Sequence, residues 1–206
     1  IEKLNPKINS IVSIKNKNKI IKEAEKKSNT KFCGLPIAVK DLSDVVGFYT
    51  TYGYPGTKNY SPSKNSLFVD KLLEAGITII GKTNTAELGV GGQTINRLFG
   101  PTSNVYDVTK CAAGSSGGAS TAVASGMLPF ADGTDQMGSC RAPAAFANIY
   151  GFRPTTGLIA SDRTFQDPKI PVLTTPGCFA KTPEDMSLLL DSIVGSNNND
   201  PLSFDL

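Results

Sequence analysis

The chain has 206 residues, of which 39% are hydrophobic and 19% are charged, and its formal net charge is +3. These fractions are typical of a globular protein, and no apolar run reaches the roughly 20 residues that a membrane-spanning helix requires. The small net charge does not indicate nucleic-acid binding, and the lack of histidine excludes a Ser-His-Asp or Cys-His site in this chain, and with it most zinc chemistry.

Residues 1–31 are predicted to form a polar lead-in region with helical character. Its Lys- and Glu-rich part, KNKNKIIKEAEKKSN (15–29), is typical of a solvated helix face rather than of a nucleic-acid-binding arm. The first lysines are not followed by the apolar segment of a signal peptide, so we expect a cytoplasmic protein.

Helix and strand patterns alternate after this region. LPIAVK (35–40) is a short apolar run with β-branched residues and predicts a buried strand. A Gly-, Tyr- and Pro-rich loop (47–64) follows, and residues 65–75 have apolar positions at helical spacing. Gly76 is placed to end that helix, and ITII (77–80) predicts a second buried strand. Alternating helices and continuously apolar strands indicate an α/β fold.

The second half of the chain continues this pattern. After a loop at 89–107, the segment 114–127 opens with a glycine-rich turn and continues in small residues that suit a helix. LPFADGTD (128–135) predicts a strand, and RAPAAFANIYGF (141–152) predicts a short helix or turn that ends at Gly151.

The clearest helix lies between Thr182 and Gly195. Thr182 suits the N-cap, Pro183 the first helical position and Asp185 the third, while Gly195 suits the C-terminus.

Four cysteines are far apart and show no CxxC spacing. We therefore expect them to be buried as small apolar residues, without a metal or a redox pair. They are Cys33, Cys111, Cys140 and Cys178.

Residues 76–83, GITIIGKT, match the pattern of a phosphate-binding loop. Such a loop needs flexible backbone between a strand and a helix, whereas Ile, Thr, Ile and Ile favour extended structure. We interpret the match as a coincidence.

Two glycine-serine turns and one lysine could together form a catalytic site. Ser115 and Ser116 lie between glycines at the start of a predicted helix, and Ser139 lies in a Gly-rich turn. A serine nucleophile there could use the backbone N–H groups of its own turn as oxyanion donors. Because histidine is absent, its base would be a carboxylate or a neutral lysine, for which Lys40 at the end of a buried strand is a candidate.

Four long stretches resemble the amidase signature family, the serine hydrolases with a Ser-Ser-Lys triad, and 175–191 resembles it more weakly. The four stretches are GLPIAVKD (34–41), AGITIIGKTNTAEL (75–88), AAGSSGGAS (112–120) and DGTDQMGSCRAPAAFANIYGFRPTTG (132–157). The resemblance implies the amidase-signature fold, an α/β fold with a mixed β-sheet covered by helices on both faces. It also implies that 32–206 is the catalytic core, truncated at the C-terminal side because family members are much longer.

The resemblance implies a role for each matching residue. Lys40 would be the catalytic base, Ser115 the bridging serine after a cis peptide bond, and Ser139 the nucleophile. Ser116 and Asp135 would support the loops. The oxyanion donors would be the backbone N–H groups of Gln136, Met137, Gly138 and Ser139. Met137 replaces a glycine that many members have.

The implied function is hydrolysis of a carboxylic amide to acid and ammonia or amine, through an acyl-enzyme on Ser139 and without cofactor or metal. A small amide would be the partner, with no direct nucleic-acid or membrane partner, and a homodimer is left open. One alternative is the glutaminase-type subunit of a tRNA-dependent amidotransferase. Another is a catalytically silent fragment. The 132–154 stretch looks more like the stand-alone amidases.

Overall fold

The computed structural model describes residues 1–162 and 173–206, and this part of the chain alternates between helices and strands. The helices are α1 (Asn5–Ile8), α2 (Lys17–Glu25), α3 (Leu67–Glu74), α4 (Gly117–Ala124), α5 (Arg141–Ala147) and α6 (Pro183–Ile193), with single 3₁₀ turns at Pro55–Thr57 and Glu87–Gly89. The strands are β1 (Ile11–Ile14), β2 (Pro36–Lys40), β3 (Thr78–Thr83), β4 (Phe130–Asp135), β5 (Tyr150–Phe152) and β6 (Thr175–Ala180). The predicted α/β class is confirmed.

The strands form two three-stranded ladders that meet at β2 and β4. In the first ladder, β3 is central and pairs antiparallel with β1 and parallel with β2. In the second ladder, β6 is central and pairs antiparallel with β4 and β5. A side chain joins the two ladders, because the backbone N–H of Lys40 in β2 donates to Asp132 Oδ1 of β4 at 2.9 Å.

Side chains of β2 alternate between two hydrophobic cores, as the two-residue period of a strand requires. Ile37 and Val39 belong to the core that contains α3 and α6, whereas Ala38 belongs to the core that contains α4. Lys40 follows Ala38 by two residues. The strand therefore directs the Lys40 side chain toward the α4 side of the sheet.

The predicted strands at 35–40 and 77–80 and the helix at 65–75 are confirmed, as β2, β3 and α3. Strand β3 runs on to Thr83 and is buried along its whole length. The phosphate-loop pattern at 76–83 thus coincides with an extended, doubly paired strand, which cannot curl around a phosphate.

The lead-in region contributes more than a helix. Its α2 is present, but Ile11–Ile14 forms β1 and pairs with β3, so residues before 31 share a sheet with β2. The IVSI sequence alone is too short to show this pairing.

The prediction for 141–152 was wrong in its end point. Helix α5 ends at Ala147 and is capped by Asn148, which adopts the left-handed conformation at φ 50°, while Gly151 lies inside β5. Strand β6 was not predicted, because Pro176 and Gly177 within it are poor strand formers.

Two of the four cysteines are not buried as predicted. Cys140 and Cys178 are buried, whereas Cys33 is exposed and Cys111 partly exposed. Cys33 lies at φ 49° in a turn that buries its neighbours Phe32 and Gly34, and it takes the exposed position between them. All four are free thiols.

In the described ranges, 1–162 and 173–206, no helix has the length and apolar character needed to cross a bilayer.

Helix α6 begins as predicted, because Thr182 Oγ1 accepts a hydrogen bond from the N–H of Asp185 at 3.1 Å. We expect Thr182→Ala to lower the free energy of unfolding by about 1 kcal/mol, since it removes this N-cap. Urea denaturation checks the value. Ser187→Ala on the exposed face of the same helix is the control and should change stability by less than about 0.5 kcal/mol. Equal effects from the two substitutions would contradict the capping role.

Candidate active site

Lys40 is the centre of a buried cluster of hydroxyl groups. Its side chain is fully buried, and its Nζ donates to Ser115 Oγ at 2.8 Å, Ser116 Oγ at 2.7 Å and Thr134 Oγ1 at 2.8 Å. Three acceptors satisfy the three donors of an ammonium group. The neutral amine would have one lone pair free to accept a proton from one of these hydroxyls.

The electrostatic surroundings of Lys40 bring its protonation equilibrium close to neutral pH. Burial lowers the pKa of Lys40 to about 8, since the charged form loses its hydration. The charges of nearby acidic groups, among them Asp132 and Asp135, oppose this effect and favour the ammonium. A lysine with such a pKa can exchange protons with a hydroxyl at physiological pH.

The two serines that face Lys40 are held by the N-terminus of α4. The peptide bond between Gly114 and Ser115 is cis, as the resemblance implies. Gly118, in the first turn of α4, lies so close to the backbone of Asn84 that an added Cβ would approach its N atom to 2.4 Å. Only glycine fits there, and this close contact fixes the serine pair against the end of β3.

The turn that carries Ser139 is organised by the carboxylate of Asp135. Its oxygens accept hydrogen bonds from the N–H groups of Gly138 at 2.8 Å and Cys140 at 3.1 Å. The Arg141 side chain donates to both oxygens at 2.9 and 3.0 Å. Burial alone would raise the pKa of Asp135, but these hydrogen bonds outweigh it and hold the pKa at about 2.

One of the four predicted oxyanion donors is already engaged. The N–H of Gly138, which lies at φ 113°, points to Asp135 Oδ1, so it is not free to bind an oxyanion in this conformation. Between residues 1 and 162, no acceptor is found for the N–H groups of Gln136, Met137 and Ser139. The candidate oxyanion donors are therefore these three.

Ser139 lies beside the serine pair but more exposed. Its backbone carbonyl accepts a hydrogen bond from the N–H of Ser116 at 3.3 Å, which links the two turns. Ser139 is partly exposed and Met137, two residues before it, is 89% exposed, whereas Ser115 and Ser116 are buried. A partly exposed serine next to a buried lysine–serine pair is accessible to a substrate from solvent.

Three contributing residues were not predicted as site residues. Thr134 bonds Lys40 Nζ, Asp132 binds the Lys40 backbone, and Arg141 pairs with Asp135. The first two depend on β2 meeting β4, a long-range contact that no local pattern indicates. Arg141 lies six residues after Asp135 and could have been suggested as its counter-ion.

Because the pKa of Asp135 is held near 2, its ionised form should stabilise the fold above the pKa of an unfolded aspartate, near 4. We expect Asp135→Asn to lose roughly 1–2 kcal/mol of stability at pH 7, after allowing for solvent screening at the turn. The difference from wild type should shrink as the pH falls from about 4 to about 2, where the wild-type carboxylate becomes protonated. Thermal unfolding at several pH values measures this, and a difference that does not depend on pH would refute it.

Comparison with known proteins adds to this geometry. A family model described as Amidase matches residues 1–205. The chain is 37% identical to an acylamidase of Rhodococcus erythropolis, over 100% of this chain and 44% of the acylamidase. It is 36% identical to one subunit of the glutamyl-tRNA(Gln) amidotransferase of Methanosarcina barkeri, over 97% of this chain and 42% of that protein.

Two solved structures also match this chain over its whole length. A bacterial aryl acylamidase of the amidase signature enzymes matches with a TM-score of 0.92 at 28% identity, over 100% of this chain and 44% of that chain. A 6-aminohexanoate cyclic dimer hydrolase matches with a TM-score of 0.88 at 29% identity, over 100% and 43%. The chain spans less than half the length of these relatives.

Proposed function

Because the chain belongs to the amidase signature family, we propose that it carries the catalytic residues of an amidohydrolase that cleaves a carboxylic amide to acid and ammonia or amine. The observation that supports this most strongly is the buried Lys40, whose Nζ contacts Ser115 and Ser116 while Ser116 contacts the Ser139 turn. A buried lysine bonded to hydroxyl groups next to a more exposed serine suits nucleophilic catalysis without histidine.

The proposed reaction has two stages. Neutral Lys40 accepts the proton of Ser115, Ser115 accepts that of Ser139, and Ser139 Oγ forms a bond to the amide carbon. The resulting oxyanion is stabilised by the N–H groups of Gln136, Met137 and Ser139. The C–N bond then breaks as the proton returns through Ser115 to the leaving nitrogen. A water molecule hydrolyses the acyl-Ser139 ester by the same proton path, which releases the acid and regenerates the serine.

A second candidate is the glutaminase-type subunit of a tRNA-dependent amidotransferase. The 36% identity to such a protein is close to the 37% identity to the acylamidase, so identity does not separate the two. In this alternative, glutamine would be the amide substrate and partner subunits would receive the ammonia.

Two substrates distinguish these functions. We expect the purified protein to release the arylamine from an aryl acylamide, with the rate lost in Ser139→Ala. Ammonia released only from glutamine, and only with co-purified partners, would support the amidotransferase function. No reaction with either substrate, from a folded protein, would favour the silent fragment and contradict the proposal.

We further propose that the enzyme acts in the cytoplasm on a small amide, alone or as a homodimer. All four cysteines are free thiols, which suits a reducing compartment. Cell fractionation tests the location, and light scattering tests the oligomeric state.

A further inference from the structure

We propose that Asp132 is a positioning residue for Lys40, one that both fixes the lysine backbone and sets the charge state of its amine. This role rests on the proposed function of Lys40 as the catalytic base. Asp132 lies in β4, 92 residues from Lys40 along the chain. Within residues 1–162, its hydrogen-bond partners include neither Ser115 nor Ser116.

The first observation is the seam between the two ladders. Strand β2 is an edge strand of the first ladder, and within the described ranges no strand pairs with its outer edge. The backbone N–H of Lys40 donates instead to Asp132 Oδ1 at 2.9 Å. This bond acts on the last residue of β2, the point from which the Lys40 side chain extends to Ser115, Ser116 and Thr134. The carboxylate therefore fixes the origin of the catalytic side chain.

The second observation is the unused oxygen of the same carboxylate. Asp132 is 3% exposed, and its Oδ2 is buried with no hydrogen-bond partner in the described residues. A buried acceptor without a partner disfavours folding, and we attribute its presence here to the effect of the carboxylate on Lys40. An asparagine or a small apolar residue would avoid a buried charge at this position, yet would not influence the charge of Lys40.

The third observation is that buried charges of both signs surround Asp132. Burial raises the pKa of Asp132 to about 6, while the Lys40 N–H and the charges of Lys40 and Lys82 oppose this rise. Lys82 is itself fully buried and lies 3.5 Å from Asp41 Oδ1. Above pH 6, a charged Asp132 thus favours the protonated form of Lys40 and keeps the Lys40 pKa from falling further.

Among the other titratable groups around the pair, the charge of Asp135 also favours the protonated form of Lys40, but this carboxylate is already paired with Arg141. Burial raises the pKa of the thiols on both sides, so they stay neutral at physiological pH. The groups that act on Lys40 or Asp132 are Lys82 of β3, Asp135 of β4, Cys140 next to α5 and Cys178 of β6.

Asp132→Asn tests the proposal, because asparagine keeps the acceptor for the Lys40 N–H and removes the charge. In protein carrying ¹³C-labelled lysine, the NMR titration of Lys40 should shift about one pKa unit or more toward lower pH, a tenfold change in the ratio of its two forms. Lys40→Met assigns the signal. Asp41→Asn is the matched control, a buried carboxylate whose partner is Lys82, and it should move the Lys82 titration more than that of Lys40.

The outcomes separate this inference from the proposed function, since the titration does not require catalysis. An unshifted Lys40 in folded Asp132→Asn would overturn the inference even if wild type hydrolyses amides. A shifted Lys40 with an inactive wild type would support the charge coupling and refute the amidase. If Asp132→Asn does not fold, the reciprocal titration in Lys40→Met decides, because loss of the Lys40 charge should raise the pKa of Asp132 above about 6. An unchanged Asp132 pKa would then overturn the inference.

Discussion

Ser139→Ala is expected to lower amide hydrolysis by a factor of about 10⁴ or more, to the level of the residual contributions of binding and oxyanion donors. Ser139 lies partly exposed beside the lysine cluster, and Asp135 holds its turn through hydrogen bonds, so the substitution removes the nucleophilic oxygen without disturbing the loop. We therefore expect kcat to fall while the unfolding midpoint changes little. Steady-state kinetics and thermal unfolding measure the two quantities.

The matched control is Ser63→Ala, which removes an exposed loop hydroxyl and should leave kcat within a factor of about two. A Ser139→Ala protein that keeps more than a tenth of wild-type activity would show that another group attacks the amide.

Lys40→Met is expected to lower kcat/KM by a factor of about 10³–10⁴, because it removes the base that accepts the serine proton. It should also raise stability. The pKa of Lys40 is about 8 in the folded chain and 10.5 in the unfolded chain, so burying the ammonium costs stability at pH 7. Replacement by an apolar side chain of similar length should recover roughly 1–3 kcal/mol. In this variant, kcat/KM should thus fall while the free energy of unfolding, measured with denaturant, should rise.

Lys82→Met is the matched control for Lys40→Met, because both lysines are fully buried in the first ladder. Lys82 lies 3.5 Å from Asp41 Oδ1, and its loss leaves a buried carboxylate without its counter-ion. This variant should lose about 3 kcal/mol or more of stability. If Lys40→Met also loses stability, and its activity falls only in proportion to the unfolded fraction, the role of Lys40 as a base is contradicted.

The pKa of Lys40 determines the expected pH profile of kcat/KM for the wild-type protein. The base must be neutral, so kcat/KM should rise with pH and level off above about 8. One pH unit below that midpoint, it should be about tenfold below the plateau.

Local sequence predicts the strands and helices whose own residue pattern indicates their structure. LPIAVK predicts a buried strand because its apolar run needs no partner to be recognised, and Thr182 with Asp185 predicts a capped helix start. Strands β1 and β6 carry no such signal. The first is four residues long, and the second contains Pro176 and Gly177, so only their pairing with neighbours makes them strands.

The candidate active site likewise combines residues that local motifs predict with contacts that they do not. Lys40, Ser115 and Ser139 were predicted from their motifs, and the structure brings Lys40 to Ser115 and the Ser139 turn to Ser116. The contacts of Thr134 and Asp132 with Lys40 could not be predicted, because they arise where two ladders meet, more than 90 residues apart along the chain. The engagement of the Gly138 N–H by Asp135 depends on turn geometry that residue types do not specify.

The most direct test of an assembled site is reaction with a fluorophosphonate, followed by mass spectrometry of the digested protein. The proposed mechanism predicts a single adduct on Ser139, no adduct in Ser139→Ala, and labelling slowed at least about 100-fold in Lys40→Met and Ser115→Ala. An adduct on a different serine, equal labelling of wild type and Lys40→Met, or no adduct on folded wild type would contradict a Lys40–Ser115–Ser139 triad in this protein.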